Sequence, residues 1–228
     1  MDLQFYPLGD QAVILEFGNI INPTIHKQIQ VVSNYIEENP PDWMIEFTTA
    51  FTTITVFYNP EVLFYKEVCQ ELSHLLKNIK WDEPNEYRMI EIPVCYGGDF
   101  GPDLIEVAKT NGLTTDEVID IHAKGEYIVY MIGFAPGFPY LGGMSEKIAT
   151  PRKATPRLKI PARSVGIAGT QTGVYPIETP GGWQLIGKTP LELFLPNQEV
   201  PSLLRAGDRV HFTPISLDQY MEMEQTRS

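Results

Sequence analysis

The sequence predicts an α+β protein of two domains, an α/β sandwich over residues 1–86 and a β-barrel over residues 87–228. Three observations carry this expectation. The first third runs through a strand, strand, helix unit twice; a polar stretch with Asp82, Glu83, Pro84 and Asn85 interrupts the chain over residues 81–88; and from Tyr127 onward Gly and Pro punctuate short apolar runs, with no helical period until the tail.

Each element follows from local chemistry. Residues 3–6 and 12–17 are apolar runs separated by the turn residues Pro7, Gly9 and Asp10, which predicts a strand pair. Asn22 offers an N-cap and Pro23 suits the first helical position, so a helix is expected to about Glu38 with Ile25, Ile29, Val32 and Ile36 on one face. Asn39, Pro40 and Pro41 end it. Residues 43–47 and 52–58, rich in aromatic and β-branched side chains, predict two more strands, and a second helix is expected over residues 64–77. Two helices on one face of a four-stranded antiparallel sheet would make a ferredoxin-like sandwich. The second domain is expected to open with a strand over residues 90–96. Helices over 102–110, ending at Asn111-Gly112, and 115–123, with a capping box from Thr114 to Glu117, follow it. The close spacing of turn residues after Tyr127 then predicts an all-β barrel.

Composition narrows the function. No run approaches the 18 or so apolar residues that span a bilayer, and the opening MDLQFYPLGD is unlike a secretory leader, so no membrane association and a cytoplasmic location are expected. Cys69 and Cys95 lack metal-like spacing and the four histidines are not paired at ligand spacing, so thiols and no zinc site are expected. A net charge of -12 argues against nucleic acid as a partner. The charge is uneven: residues 1–87 hold 4 Lys and Arg against 13 acids, whereas no acid interrupts TPRKATPRLKIPARS, residues 150–164.

Four motifs bear on chemistry. PGGWQLIGKTP, residues 180–190, satisfies the phosphate-loop pattern GxxxxGKT. That loop needs a strand before it and a helix after it, whereas here turn residues precede bulky, strand-like Trp183 to Ile186, and Pro190 leads into an alternating stretch, 191–195, that predicts a strand. GFAPGFPYLGG, residues 133–143, is too rich in Gly and Pro for a regular helix or central strand; it is either a loop plugging the barrel end or a rigid ligand wall. The cationic run is either an edge strand defended by charge or an anion site at Arg152, Lys153 or Arg157. His122, on the apolar side of its helix near Val118 and Ile119, is either a satisfied core histidine or a proton carrier.

Taken together, YMIGFAPGFPYLGGM, TPRKATPR, SVGIAGTQTGVYPIETPGGWQLIGKTP and LLRAGDRVHF closely resemble the family of the 5-oxoprolinase B subunit, also called allophanate hydrolase subunit 1, one member of which is described as an inhibitor of a sporulation histidine kinase. The resemblance covers nearly the whole chain and is densest from Tyr130 to Thr189. It implies an N-terminal α/β domain joined to a cyclophilin-like β-barrel. It also implies action with the sister C subunit of 5-oxoprolinase, and with its A subunit, to open 5-oxo-L-proline to L-glutamate, with ATP as cofactor of the complex. Family members often carry Arg at the position of Lys188, and commonly glycine at that of Arg163.

The implied reaction fits the residues, because phosphorylating a lactam oxygen makes it a leaving group and demands a site that balances anionic charge. On this reading Arg152, Lys153 and Arg157 balance the charge, and His122 moves a proton. Gly133, Phe134, Pro136, Gly137, Phe138, Tyr140, Gly181, Gly182 and Trp183 shape the substrate wall, with polar contacts from Gln171, Thr172 and Tyr175. Two alternatives belong to other classes. One is a binding module that docks on a sensor histidine kinase through the barrel cleft; the other is a carboxyltransferase component of a biotin enzyme like urea carboxylase.

Overall fold

The structure, a computed structural model, describes residues 3–79, 81 and 87–226. Most of the expected boundary stretch, 81–88, lies outside the described residues. The chain forms two compact units, Met1–Glu86 and Tyr87–Ser228.

The first unit runs β1 (Gln4–Leu8), β2 (Ala12–Glu16), α1 (Pro23–Glu38), β3 (Met44–Thr49), β4 (Thr53–Tyr58) and α2 (Tyr65–Lys77). Asn22 caps α1 by accepting the Ile25 N–H at 2.9 Å, and Pro23 fills the first helical position. The sheet is antiparallel with order β1-β2-β4-β3. Pro7, expected in a turn, lies within β1 instead; β1 is an edge strand, where a missing N–H is tolerated. Period-two alternation places Val13, Leu15, Ile54 and Val56 against Ile29, Val32 and Ile36 of α1 and Val68 and Leu72 of α2. These are the layers of the expected ferredoxin-like sandwich, reached by two successive ββα units.

The second unit begins with β5 (Met89–Tyr96), α3 (Leu104–Asn111) and α4 (Thr115–Ala123). Gly112 ends α3 in the left-handed conformation at φ 66°, and Thr114 and Glu117 form the capping box that starts α4. The strands that follow are β6 (Tyr127–Ile132), β7 (Pro139–Gly142), β8 (Arg157–Ile160), β9 (Ser164–Ala168), β10 (Gln171–Val174), β11 (Thr179–Gly181), β12 (Gln184–Lys188) and β13 (Arg209–Pro214), before the terminal helix α5 (Leu217–Gln225). Strands β10-β7-β6-β13-β5-β12-β9 close into a barrel, while β8 and β11 form a separate two-stranded sheet. Closure leaves the barrel strands no free edge. Its interior is one apolar cluster that includes Ile92, Val94, Val129, Val165, Ile167, Ile186 and Phe212, joined by Leu104 and Val107 of α3 and Val118 of α4.

Three local expectations change. Residues 139–142, read as part of a loop, form barrel strand β7; its proline is the first residue, where a strand tolerates it, and pairing with β6 on one side and β10 on the other holds the rest. Residues 191–195 form no strand beyond a single bridge from Phe194 to Ser202. The helix expected from residue 102 starts at Leu104: Asp103, at φ -102° and ψ 1°, is outside helical geometry, and its N–H donates to the Leu185 carbonyl at 2.9 Å.

Candidate functional site

Outside the barrel wall, the loop after β6, the segment before β8, the β11 strand and Trp183 enclose a cavity of about 480 Å³. It is lined by Phe134, Phe138, Tyr140, Arg152, Lys153, Pro156, Tyr175, Pro180, Gly181, Gly182 and Trp183. The floor is an aromatic cluster centred on Phe138, which is buried and meets Phe134, Tyr140, Tyr175 and Trp183 edge to face at centroid distances of 5.4, 5.3, 5.4 and 5.6 Å. Such contacts are worth about 0.5–1.5 kcal/mol each beyond area burial, so the floor is stiff. Gly181 gives these side chains room, since a Cβ would stand 2.7 Å from both Ile160 Cδ1 and the Tyr175 hydroxyl and force one of them to shift. Burial pushes the Tyr175 phenol up to about 12, against the opposing pull of Arg152 and Arg157 and a hydrogen bond from the Trp183 backbone, so its hydroxyl stays protonated.

Phe134 forms the rim. It is 67% exposed and holds φ at 66°, a left-handed value rare for an aromatic residue. The tight turn around it explains this: Ala135 N–H donates to the Gly133 carbonyl, Phe138 N–H to that of Ala135, and Gly133 N–H to that of Phe138. Gly137, at φ 78°, backs onto Phe194.

The charges of the wall divide unequally. Asp103, 5% exposed, accepts from Lys153 Nζ at 3.0 Å and Arg157 Nη2 at 2.8 Å through Oδ1, and from the Leu185 N–H at 2.7 Å through Oδ2. Burial opposes ionisation of this carboxyl, but the donors Arg157, Leu185 and Lys153 together outweigh it and hold it below the usual carboxylate range. Arg157 also reaches the Trp183 carbonyl at 3.4 Å. Arg152, by contrast, lies exposed at the cavity with no ion pair or hydrogen bond among the described residues. Of the two cations that line the cavity, Lys153 is engaged and Arg152 unspent; Arg157 does not line it and is held behind it by Asp103. Asp103 itself escaped the sequence reading, because an acid in the first turn of an expected helix is unremarkable; its side chain makes no cap bond and serves residues 50 and 54 positions away.

The remaining expected site residues lie elsewhere. His122 is fully buried inside the barrel, with Nδ1 2.7 Å from the Tyr96 hydroxyl and Nε2 2.9 Å from Thr172 Oγ1. Thr172 donates its only hydroxyl hydrogen to the Gly166 carbonyl at 3.0 Å, so His122 must donate from Nε2 and accept at Nδ1. Burial lowers its pKa to about 3. With both nitrogens engaged and the ring packed on Phe212 and Tyr127, it is the satisfied core histidine rather than a proton carrier. Thr172 is likewise spent in the core. Gln171, Gly133, Pro136 and Gly137 do not line the cavity, although the three loop residues shape the turn that carries Phe134 and Phe138.

The GxxxxGKT segment does not fit a nucleotide. Its interior is strand β12, irregular chain rather than helix follows, and the Lys188 ammonium stands 5.5 Å over the Phe100 ring. Arg163 does not enter the cavity either. Its backbone sits at φ 70°, a left-handed value that glycine holds without strain, and its guanidinium forks onto both Glu224 oxygens on α5. Among the described residues no group of His, Cys, Asp and Glu is placed to hold a metal, and no helix is long and apolar enough to cross a membrane.

Known proteins agree with this architecture. The family model for the carboxyltransferase domain, subdomain C and D, matches residues 3–204. The 5-oxoprolinase B subunit of Bacillus subtilis (strain 168) is 55% identical over 229 residues, covering 95% of both chains. Among solved structures, TTHA0988 superposes with a TM-score of 0.80 at 35% identity over 90% of this chain, which spans 40% of that longer one. The urea amidolyase of K. lactis superposes with a TM-score of 0.76 at 17% identity over 98% of this chain and 15% of its own, a likeness of fold.

Proposed function

This chain belongs to the carboxyltransferase-domain family, subdomains C and D, that includes the 5-oxoprolinase B subunit, and from that premise we propose that it is the B subunit of an ATP-dependent 5-oxoprolinase. Together with the A and C subunits it opens 5-oxo-L-proline to L-glutamate, and it works in the cytoplasm. The observation that carries this reading is Arg152, a cation unpaired among the described residues and set beside a stiff aromatic floor. 5-Oxoproline is a small flat ring bearing one carboxylate. Its ring suits the face made by Phe138, Tyr140 and Trp183, and its carboxylate suits Arg152, with a charge-assisted hydrogen bond worth about 1.5–3 kcal/mol. Lys153 and Arg157, fixed by Asp103, add positive potential near the ring without moving, and the aromatic floor keeps water from its underside. ATP bound in the complex would supply the phosphoryl group that activates the lactam oxygen, and the phosphate-loop lookalike of this chain is not shaped to hold it.

ADP release tests the reading when measured for this chain, for the C subunit, and for the two mixed with the A subunit, each with and without 5-oxoproline. Release that requires this chain and the lactam is expected. Silence from a verified complex would favour the second reading, a module that docks on a sensor histidine kinase. The observation behind that reading is Phe134, a large aromatic held out at the rim where it can seat an extended segment of a partner. Kinase autophosphorylation in its presence is then the assay.

A further inference from the structure

We propose that Asp103 determines the charge specificity of the cavity: by occupying Lys153 and Arg157 it leaves Arg152 as the cation open to a ligand, so the site takes one carboxylate and disfavours a dicarboxylate such as the ring-opened product. The inference rests on the substrate reading above and deepens it.

The geometry supports a positioning role. Asp103 lies behind the wall rather than on it, so it touches no ligand. Its Oδ1 is shared by Lys153 and Arg157, and its Oδ2 anchors the Leu185 N–H, which fixes the carboxylate to the barrel. The Asp103 N–H bonded to the Leu185 carbonyl closes this clamp. Lys153 lines the cavity while its ammonium points at Asp103, and Arg157 stands beside Trp183. Without the carboxylate, the Lys153 ammonium at the wall would have unspent donors and Arg157 behind it would keep only its bond to the Trp183 carbonyl, and half-buried donors seek acceptors strongly.

The chemistry of the reaction makes this matter. Hydrolysis cleaves the lactam C–N bond; water supplies the oxygen and protons, the carbonyl carbon becomes a second carboxylate and the nitrogen an ammonium. Substrate and product thus share a single net negative charge, but the product carries a new carboxylate at its far end and a compensating ammonium beside the first carboxylate. With Lys153 and Arg157 engaged, that group meets donors already taken and the product leaves. With them free, it would be held.

Inhibition of 5-oxoproline-dependent ADP release by glutarate and by L-glutamate, measured on the whole complex, tests the proposal. In the natural protein the inhibition constant for glutarate should exceed the KM for 5-oxoproline by about tenfold or more, the size of one missing charge-assisted bond. Asp103→Asn keeps the side-chain shape and an acceptor for the Leu185 N–H, and it should tighten glutarate and glutamate inhibition by roughly tenfold while KM changes less than about threefold. Asp103→Glu, which restores the charge, should recover part of the discrimination, an outcome that a purely structural role would not give. Equal affinity of the natural protein for glutarate and 5-oxoproline would overturn the proposal, even if no variant folds. So would an unchanged ratio in a folded Asp103→Asn protein. Failure of the substrate reading looks different: Arg152→Ala would then leave the KM for 5-oxoproline untouched.

Discussion

Two polar clusters sit in aromatic surroundings in the barrel unit, one around His122 and one around Asp103, and they are finished differently. Around His122 every donor meets an acceptor: Tyr96 to Nδ1, Nε2 to Thr172, Thr172 to Gly166. Around Asp103 two cations share one carboxylate and a third, Arg152, is left over at a cavity. Burial and a displaced pKa mark His122 more strongly than any residue of the cavity, yet it has nothing left to offer a ligand. Unspent bonding capacity next to open volume, rather than perturbation by itself, separates a site from a core.

Variants can break this contrast from either side. Phe138→Ala should have the largest effect on stability, because Phe138 is 2% exposed and joins four rings; about 3–5 kcal/mol should be lost in denaturant unfolding, and the cavity should lose its floor. A loss under about 1 kcal/mol would mean the floor is loosely packed. Thr172→Val keeps the volume but strands the His122 Nε2 hydrogen and the Gly166 carbonyl, so about 1–3 kcal/mol should go while ADP release per folded molecule stays constant. Reduced turnover with normal stability would return Thr172 to the site.

Acid should act on the same core. His122 has a folded pKa of about 3 against an ordinary 6.5, so between these values the unfolded chain binds a proton that the folded chain does not, and stability falls as pH drops. Roughly 2 kcal/mol should be lost between about pH 7 and pH 5, and His122→Gln, which does not titrate, should flatten that slope. An unaltered slope would place the proton uptake elsewhere. Arg163→Gly should have the smallest effect, within about 1 kcal/mol, since relief of a left-handed backbone offsets the lost fork onto Glu224. Faster amide exchange confined to α5 is the expected sign.

Much of this was legible where the causes are local. Asn22 with Pro23, and Thr114 with Glu117, mark helix starts through bonds to neighbours three residues on, and the structure places α1 and α4 there. The cavity was legible because its residues cluster in the GFAPGFPYLGG loop and the cationic run. Where the cause is distant the sequence is mute. Nothing in FGPDL says that Asp103 will meet Lys153 and Arg157, and the two readings of His122 stay open until Tyr96 and Thr172, 26 and 50 residues away, close around it. Strand β7 was hidden for a similar reason: its Gly and Pro content reads as loop, and pairing within the closed barrel overrides it.

On the proposed function, Arg152 receives the carboxylate of the lactam. The most direct test is the steady-state kinetics of 5-oxoproline-dependent ADP release by the full complex carrying Arg152→Ala, beside thermal unfolding of the variant chain. A KM raised by roughly 10- to 150-fold is expected, from a charge-assisted bond of about 1.5–3 kcal/mol, with unfolding unchanged because Arg152 has no partner to lose among the described residues. A KM equal to that of the natural protein in a folded complex would contradict it.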